Sequence, residues 1–339
     1  MKLNDHFKKF VGNISLNPTR KSRVESALNH WENNFKEDEE LKDLFLDFYS
    51  QGSYSTDTGV KPKNNDEFDV DAILLLNIDE KEEPKDILKK ISVRIKSHKE
   101  FEDRVKVKDR CVRIDYAGDF HVDIVPALPF ENVIKIPSKK ENEWCQTNPV
   151  GFTNWCNAIN SKTDGYFAKI VKIMKHWRDD NVGKDTAPKS ILMTTLIGNS
   201  FVKKSSIAET LVETLISLVD QLECLLEEDE IYVENPSLED ENLARNWDHT
   251  KAGRFLKKVK NLKDDCQDAL DDKDKESSIE KWQNIFGKSY FPSSLGEVKD
   301  MADNISRGLV KVSSAGILNQ DHGTKVRDHR FYGKQDEEY

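Results

Sequence analysis

Phe68–Leu76, FDVDAILLL, opens on alternating apolar and acidic residues and closes on an unbroken apolar run. The pattern predicts a strand entering a core that is covered on both faces. Residues two apart on a strand project from one face, roughly 7 Å apart along it, so Asp69 and Asp71 point together while Val70 points the other way. Farther along, FHVDIVPAL (Phe120–Leu128) sets Asp123 between Val122 and Ile124. If that segment lies beside the first, three carboxylates converge.

Three carboxylates in so small a space repel unless a cation neutralises them. The cation should be hard and oxygen-seeking. Mg²⁺ or Mn²⁺ fits, with carboxylates, water and substrate phosphates as ligands, and a pair of ions about 3.5–4 Å apart can serve both the attacking and the leaving oxygen. The substrate is then a triphosphate. A DxD alone is commonly a solvated strand end, so its surroundings carry the argument.

Upstream, Gln51-Gly52-Ser53-Tyr54 precedes the DxD strand. Gly52 permits close backbone approach, and Ser53 offers a hydroxyl and an N–H, together a small anion nest. An amphipathic helix over Asp38–Tyr49 is expected before it, since Leu41, Leu44, Phe45 and Phe48 fall at helical spacing. Earlier still, Thr19 is placed to cap a helix carrying Val24, Leu28 and Trp31. Downstream, Ile87, Leu88, Ile91 and Ile95 read as a helix. Cys111–Tyr116 and Phe120–Pro126 then alternate on either side of Ala117-Gly118-Asp119, a tight hairpin turn.

Beyond Pro137 the chain reads as mostly helical, over Tyr166–Asp180, Ser190–Phe201, Ile207–Leu226, Leu238–Leu270 and Ser278–Phe286. Asp264–Ser278 reads as a solvated helix end or loop, and the last twenty or so residues as a weakly ordered tail. His121, on the face of Asp123, reads as a hydrogen-bonded strand histidine. Trp144, Trp155, Trp177, Trp247 and Trp282 read as core or interface aromatics, and Tyr54 or Tyr166 could stack on a base.

Of 339 residues, 52 are Lys or Arg and 62 are Asp or Glu, a formal charge of −10. A strong nucleic-acid binder needs the opposite balance. No apolar stretch approaches the roughly 20 residues of a membrane span, and MKLNDHFKKF lacks a secretory apolar region. A cytoplasmic protein without a membrane role is expected. Cys111, Cys145, Cys156, Cys224 and Cys266 are scattered, with no CxxC pair, which argues for reduced thiols and against zinc.

In their order, QGSYSTDTGVKP (Gln51–Pro62), FDVDAIL and FHVDIVPA resemble the nucleotidyltransferase superfamily of the DNA polymerase β type. In particular they resemble the bacterial cGAS/DncV-like enzymes called CD-NTases, which make cyclic oligonucleotide signals in anti-phage defence. Lys175 in KIVKIMKHWRDDN and Ser190 in APKSILMTTLI resemble the family's Lys and Ser that hold the donor triphosphate. NPSLEDENLARNW (Asn235–Trp247) and FGKSYFP (Phe286–Pro292) resemble its carboxyl-terminal helical domain. The resemblance reaches to about residue 306.

The resemblance implies an α+β fold. Residues 1–160 would form a polymerase β-like core, a mixed sheet with flanking helices that includes the N-terminal helices. Residues 161–310 would form a helical domain closing the nucleotide cleft, and 311–339 a tail. It implies that Asp69 and Asp71 bind both Mg²⁺ or Mn²⁺ ions and that Asp123 completes the site and accepts the proton of the attacking hydroxyl. Gln51, Gly52, Ser53, Lys175 and Ser190 would hold the triphosphate. The substrates would be NTPs, ATP first among them, and the product a cyclic di- or trinucleotide second messenger. The implied partners are a nucleotide-activated effector and regulatory proteins. Rival readings are a template-independent enzyme acting on an RNA end or a small-molecule acceptor, and a non-catalytic nucleotide-binding regulator.

Overall fold

The computed structural model describes residues 1–62, 67–116 and 120–294, with 311–312, 318–319 and 324–325. Two helices lead the chain, α1 (Asn4–Ile14) and α2 (Pro18–Glu37), followed by β1 (Phe45–Gln51), the single turn α3 (Gly52–Ser55), β2 (Phe68–Leu76) and α4 (Pro84–Lys96). A 3₁₀ turn then leads into β3 (Val105–Val107), β4 (Val112–Tyr116), β5 (Phe120–Phe130), β6 (Val133–Ser138) and β7 (Glu143–Thr147). After these come α5 (Pro149–Lys162), α6 (Tyr166–Asn181), α7 (Ser190–Asn199) and α8 (Ile207–Glu227). The hairpin β8 (Glu234–Asn235) and β9 (Leu238–Asn242) separates them from α9 (His249–Asp271) and α10 (Lys275–Phe286). This is the expected α+β arrangement.

The seven strands β1–β7 form one mixed sheet in the order β1-β2-β5-β4-β3, with β6 on β5 and β7 on β6. β2 and β5 run parallel; every other pair in the sheet is antiparallel. The period of two sorts the residues of β2 onto two faces. Val70, Ala72, Leu74 and Leu76 pack under Trp31 and Phe35 of α2 and Leu88 and Ile91 of α4. On the opposite face Ile73 joins Val125, Ala127, Ile134 and Ile136. Double coverage therefore holds for the apolar half of β2, while its acidic half opens into a cleft.

Four expectations are corrected. Phe45–Gln51 is a strand, not the end of a helix: Leu41 and Leu44 lie in turns, and Phe45, Phe48 and Tyr49 pair with Leu76, Leu74 and Ile73 of β2. Aromatic residues suit a pleated surface, and the long-range ladder overrides a chance helical spacing. Asn17, not Thr19, caps α2, its side chain accepting from the Arg20 N–H with Pro18 in the first turn. Leu238–Asn242 is the second strand of a hairpin, and the long helix begins only at His249, capped by Asp248. Strands also persist past Pro137, to Thr147. The turn at 117–119 and most of the tail lie outside the described residues.

A second core is helical. Phe167, Ile170 and Met174 of α6 meet Leu211 and Leu215 of α8 and Phe255 and Val259 of α9. Phe7, Phe10 and Ile14 of α1 join this helical core, with Trp282 and Phe286 of α10 and Phe291. Met1–Phe291 forms one compact unit and Pro292–Tyr339 another. In the second unit the described residues are 292–294 and three two-residue strands, β10 (Lys311–Val312) pairing antiparallel with β11 (Leu318–Asn319) and β12 (Thr324–Lys325). No helix among the described residues is long and apolar enough to cross a membrane.

Candidate active site

Register decides where the carboxylates go. In the parallel pair β2/β5, Asp71 stands opposite Asp123 and Asp69 opposite His121. On the other side of β5, Arg113 of β4 stands opposite Asp123 and Asp115 opposite His121. Two rows of charge thus cross one face of the sheet: Asp71–Asp123–Arg113 and Asp69–His121–Asp115.

Arg113 ties the rows together. Its Nε donates to Asp123 Oδ1 at 2.8 Å and its Nη2 to Asp123 Oδ2 at 2.8 Å. The same Nη2 lies 2.9 Å from Asp69 Oδ1. Among the described residues no three acidic or imidazole groups are gathered as a metal cluster; a guanidinium sits between two of the carboxylates instead. Asp71 receives no hydrogen bond from a described residue. Burial, then the charges of Asp123 and Asp69, push its carboxyl up to about 6, with Arg113 opposing. His121 lies between Glu67 (2.6 Å) and Asp115 (2.9 Å), a strand histidine held by its neighbours.

At the end of β1, Gln51 pairs with Asp71, and the chain turns at Gly52 with φ +69° into α3. A Cβ on Gly52 would stand 2.9 Å from Asp71 Oδ2. Glycine is thus required both for the left-handed backbone and for close approach to the carboxylate. The turn continues to Thr58, whose N–H donates to the Ser53 carbonyl at 2.9 Å.

From the helical side, buried Lys175 of α6 donates to the Thr58 carbonyl at 3.2 Å and to Thr58 Oγ1 at 3.0 Å. Burial, then the nearby Arg178 charge, draws the ammonium down to about 7. Ser190, first residue of α7, accepts from Arg178 Nη1 at 3.2 Å. A cleft of about 550 Å³ is lined by Gln51, Gly52, Ser53, Asp69, Asp71, Lys175 and Ser190 together. Asp123 is not among its lining residues: only 7% exposed, it lies beneath, bonded to Arg113.

Two family descriptions match the chain: a "Second Messenger Oligonucleotide or Dinucleotide Synthetase domain" over residues 1–160 and the "Cyclic GMP-AMP synthase, C-terminal domain" over 165–296. A c-di-GMP synthase of Roseivirga ehrenbergii is 25% identical, the match covering 98% of this chain and 97% of that protein. A cyclic AMP-AMP-AMP synthase of an Acinetobacter strain is 24% identical, covering 94% of each. Among solved structures, the Bradyrhizobium diazoefficiens CD-NTase CdnG in complex with GTP superposes with a TM-score of 0.71 at 17% identity, covering 88% of this chain and 97% of that one. The chain belongs to the CD-NTase family. It is a nucleotidyltransferase with the polymerase β-like fold.

In this CD-NTase several residues in or beside the cleft escape a reading of motifs alone. Arg113 was within reach of one: pairing the alternating segments 112–116 and 120–124 as a hairpin sets it opposite Asp123. Arg178 lies three residues after Lys175, on the same helical face. Of the two candidate stacking residues, Tyr54 lines the cleft, as do Phe68 and Phe152. Tyr166 lies outside the cleft lining, its ring carrying Lys169 at 4.9 Å and Lys203 at 5.8 Å.

Proposed function

We propose that this CD-NTase joins nucleoside triphosphates, ATP among them, into a cyclic di- or trinucleotide with release of pyrophosphate, in a reaction dependent on Mg²⁺ or Mn²⁺. One observation carries the reading. The parallel register puts Asp71 beside Asp123 with Asp69 on the same face, against a cleft that also holds the Gly52 turn and Lys175.

The residues suit a hard divalent cation. The Arg113 guanidinium meets Asp123 and Asp69, while burial, then the charges of Asp123 and Asp69, raises the Asp71 carboxyl, a penalty that a bound cation would relieve. When bound by Asp69, Asp71 and Asp123, such ions supply charge neutralisation at the triphosphate and polarise the reacting oxygens. The Gly52–Ser53 turn offers N–H groups and a hydroxyl to phosphate oxygens, with Gln51 at its edge. Lys175 and Ser190 reach the same phosphates from the helical side.

The acceptor's 3′- or 2′-hydroxyl oxygen forms a bond to the donor α-phosphorus as the bond to pyrophosphate breaks. Asp123 takes the hydroxyl proton. A further round, in which the chain's own hydroxyl attacks, closes the ring. Residues 1–160 carry the chemistry, and the helices beyond residue 161 close on the nucleotide, whose bases stack on Tyr54. By family resemblance the product is a second messenger of anti-phage signalling, read by an effector and controlled by regulatory proteins.

Incubation with all four NTPs and Mg²⁺ or Mn²⁺, phosphatase treatment and mass spectrometry tests this. A phosphatase-resistant nucleotide is expected, its yield falling about a thousandfold in Asp69→Asn or Asp71→Asn, where several kcal/mol of charge stabilisation are lost. Absence of a resistant species from the wild type, or equal conversion by the variants, overturns the proposal.

A further inference from the structure

We infer that Arg113 is a positioning residue of the carboxylate site: it clamps Asp123 through both oxygens and competes with divalent ions for Asp69. The inference rests on the reading of the cleft as a metal-dependent nucleotidyltransferase site. Its two arms differ in kind. Toward Asp123 the guanidinium makes a two-bond fork, both contacts at 2.8 Å, to a side chain only 10% exposed. Toward Asp69 it makes one contact of 2.9 Å, to a side chain 53% exposed.

A buried carboxylate stripped of its partner is costly, and a bidentate pair fixes orientation as well as charge. The Asp123 arm therefore persists. The Asp69 arm, single and solvent-screened, is the one that yields when a stronger cation arrives. Arg113 thereby fixes the orientation of Asp123 and keeps the nucleotide-free site from binding ions tightly. The triphosphate's own charge then tips the balance, so ions and nucleotide enter together. Lysine could supply the charge but not the fork.

The test uses the full chain, with Mn²⁺ alone as probe, read by calorimetry or electron paramagnetic resonance, and thermal melting as the folding control. Arg113→Met is expected to bind Mn²⁺ about tenfold more tightly than wild type without nucleotide, because an opposing charge is removed. Its kcat at saturating Mn²⁺ and NTP should fall about a hundredfold, as Asp123 loses its orientation. Arg113→Lys should keep the wild-type Mn²⁺ affinity and still lose kcat. A folded Arg113→Met with unchanged or weaker Mn²⁺ affinity overturns the inference.

If that variant does not fold, a crystal structure of the wild type with Mn²⁺ decides. Nη2 parted from Asp69 while both Asp123 bonds remain supports the assignment; an intact Asp69 contact beside bound Mn²⁺ sinks it. A wild type that neither binds Mn²⁺ nor converts NTPs brings down the functional reading itself. One that does both, with Arg113→Met indistinguishable in Mn²⁺ affinity, removes only the role of Arg113.

Discussion

Lys175 is the residue whose chemistry depends most on its setting. Its ammonium is buried, with Thr58 its hydrogen-bond partner among the described residues, and its pKa is drawn down to about 7. The folded value lies below the ordinary lysine value of about 10.4, so between those limits the unfolded chain binds more protons than the folded one. The penalty of burying the charge is full below about pH 7 and disappears as pH rises toward the ordinary value; stability gained from this group rises with pH across that window. A triphosphate in the cleft supplies the missing countercharge and should restore the proton. We expect ATP binding near pH 8.5 to take up close to one proton, measured by calorimetry in buffers of different ionisation enthalpy. Lys175→Met should abolish that uptake. It should also raise the melting temperature of the nucleotide-free protein more at pH 7 than at pH 10.

Elements show where local pattern and tertiary pairing part company. The β2 strand was legible because alternation and a following apolar run have no helical equivalent. β1 was not, because Leu41, Leu44, Phe45 and Phe48 satisfy a helical period while the residues that decide the matter, Ala72 to Leu76, lie more than twenty positions away. Packing between helices is equally invisible. A Cβ on Gly198 of α7 would stand 2.2 Å from Trp155 Cη2 of α5, so this glycine exists for the indole and not for its backbone. Gly198→Ala should cost about 1–3 kcal/mol through overpacking, read from the midpoint of denaturant unfolding. Gly253→Ala, with nothing within 4 Å of its added Cβ, should be neutral or stabilising in the same assay.

At the scale of the whole molecule, charge separates this synthase from enzymes that extend RNA. The formal charge is −10, and three of the six cations in the basic run at 251–263 are paired: Lys251 with Asp248, Lys260 with Glu223 and Lys263 with Asp264. The three cations left, Arg254, Lys257 and Lys258, are a small basic patch on an acidic molecule. Filter binding at 150 mM salt should therefore show no saturable retention of single-stranded RNA below about 10 µM, no tighter than typical nonspecific binders. Tight, salt-sensitive retention would favour the RNA-end reading. The same scale explains α1. Its apolar face, Phe7, Phe10 and Ile14, has no partner nearby in sequence and finds one in the helical core against Trp282, Phe286 and Phe291.

Sequence alone determined which face each carboxylate could occupy, since a strand's period of two admits no choice once the apolar residues claim the core. It also determined the order of turn, DxD strand and third aspartate, and with it the family. Tertiary structure decided the rest: that β1 is an edge strand delivering Gly52 to Asp71, that Lys175 loses its water, and that a guanidinium lies among the carboxylates. Those outcomes depend on strand register and on burial between distant segments, and neither leaves a periodic mark in the residues that experience it.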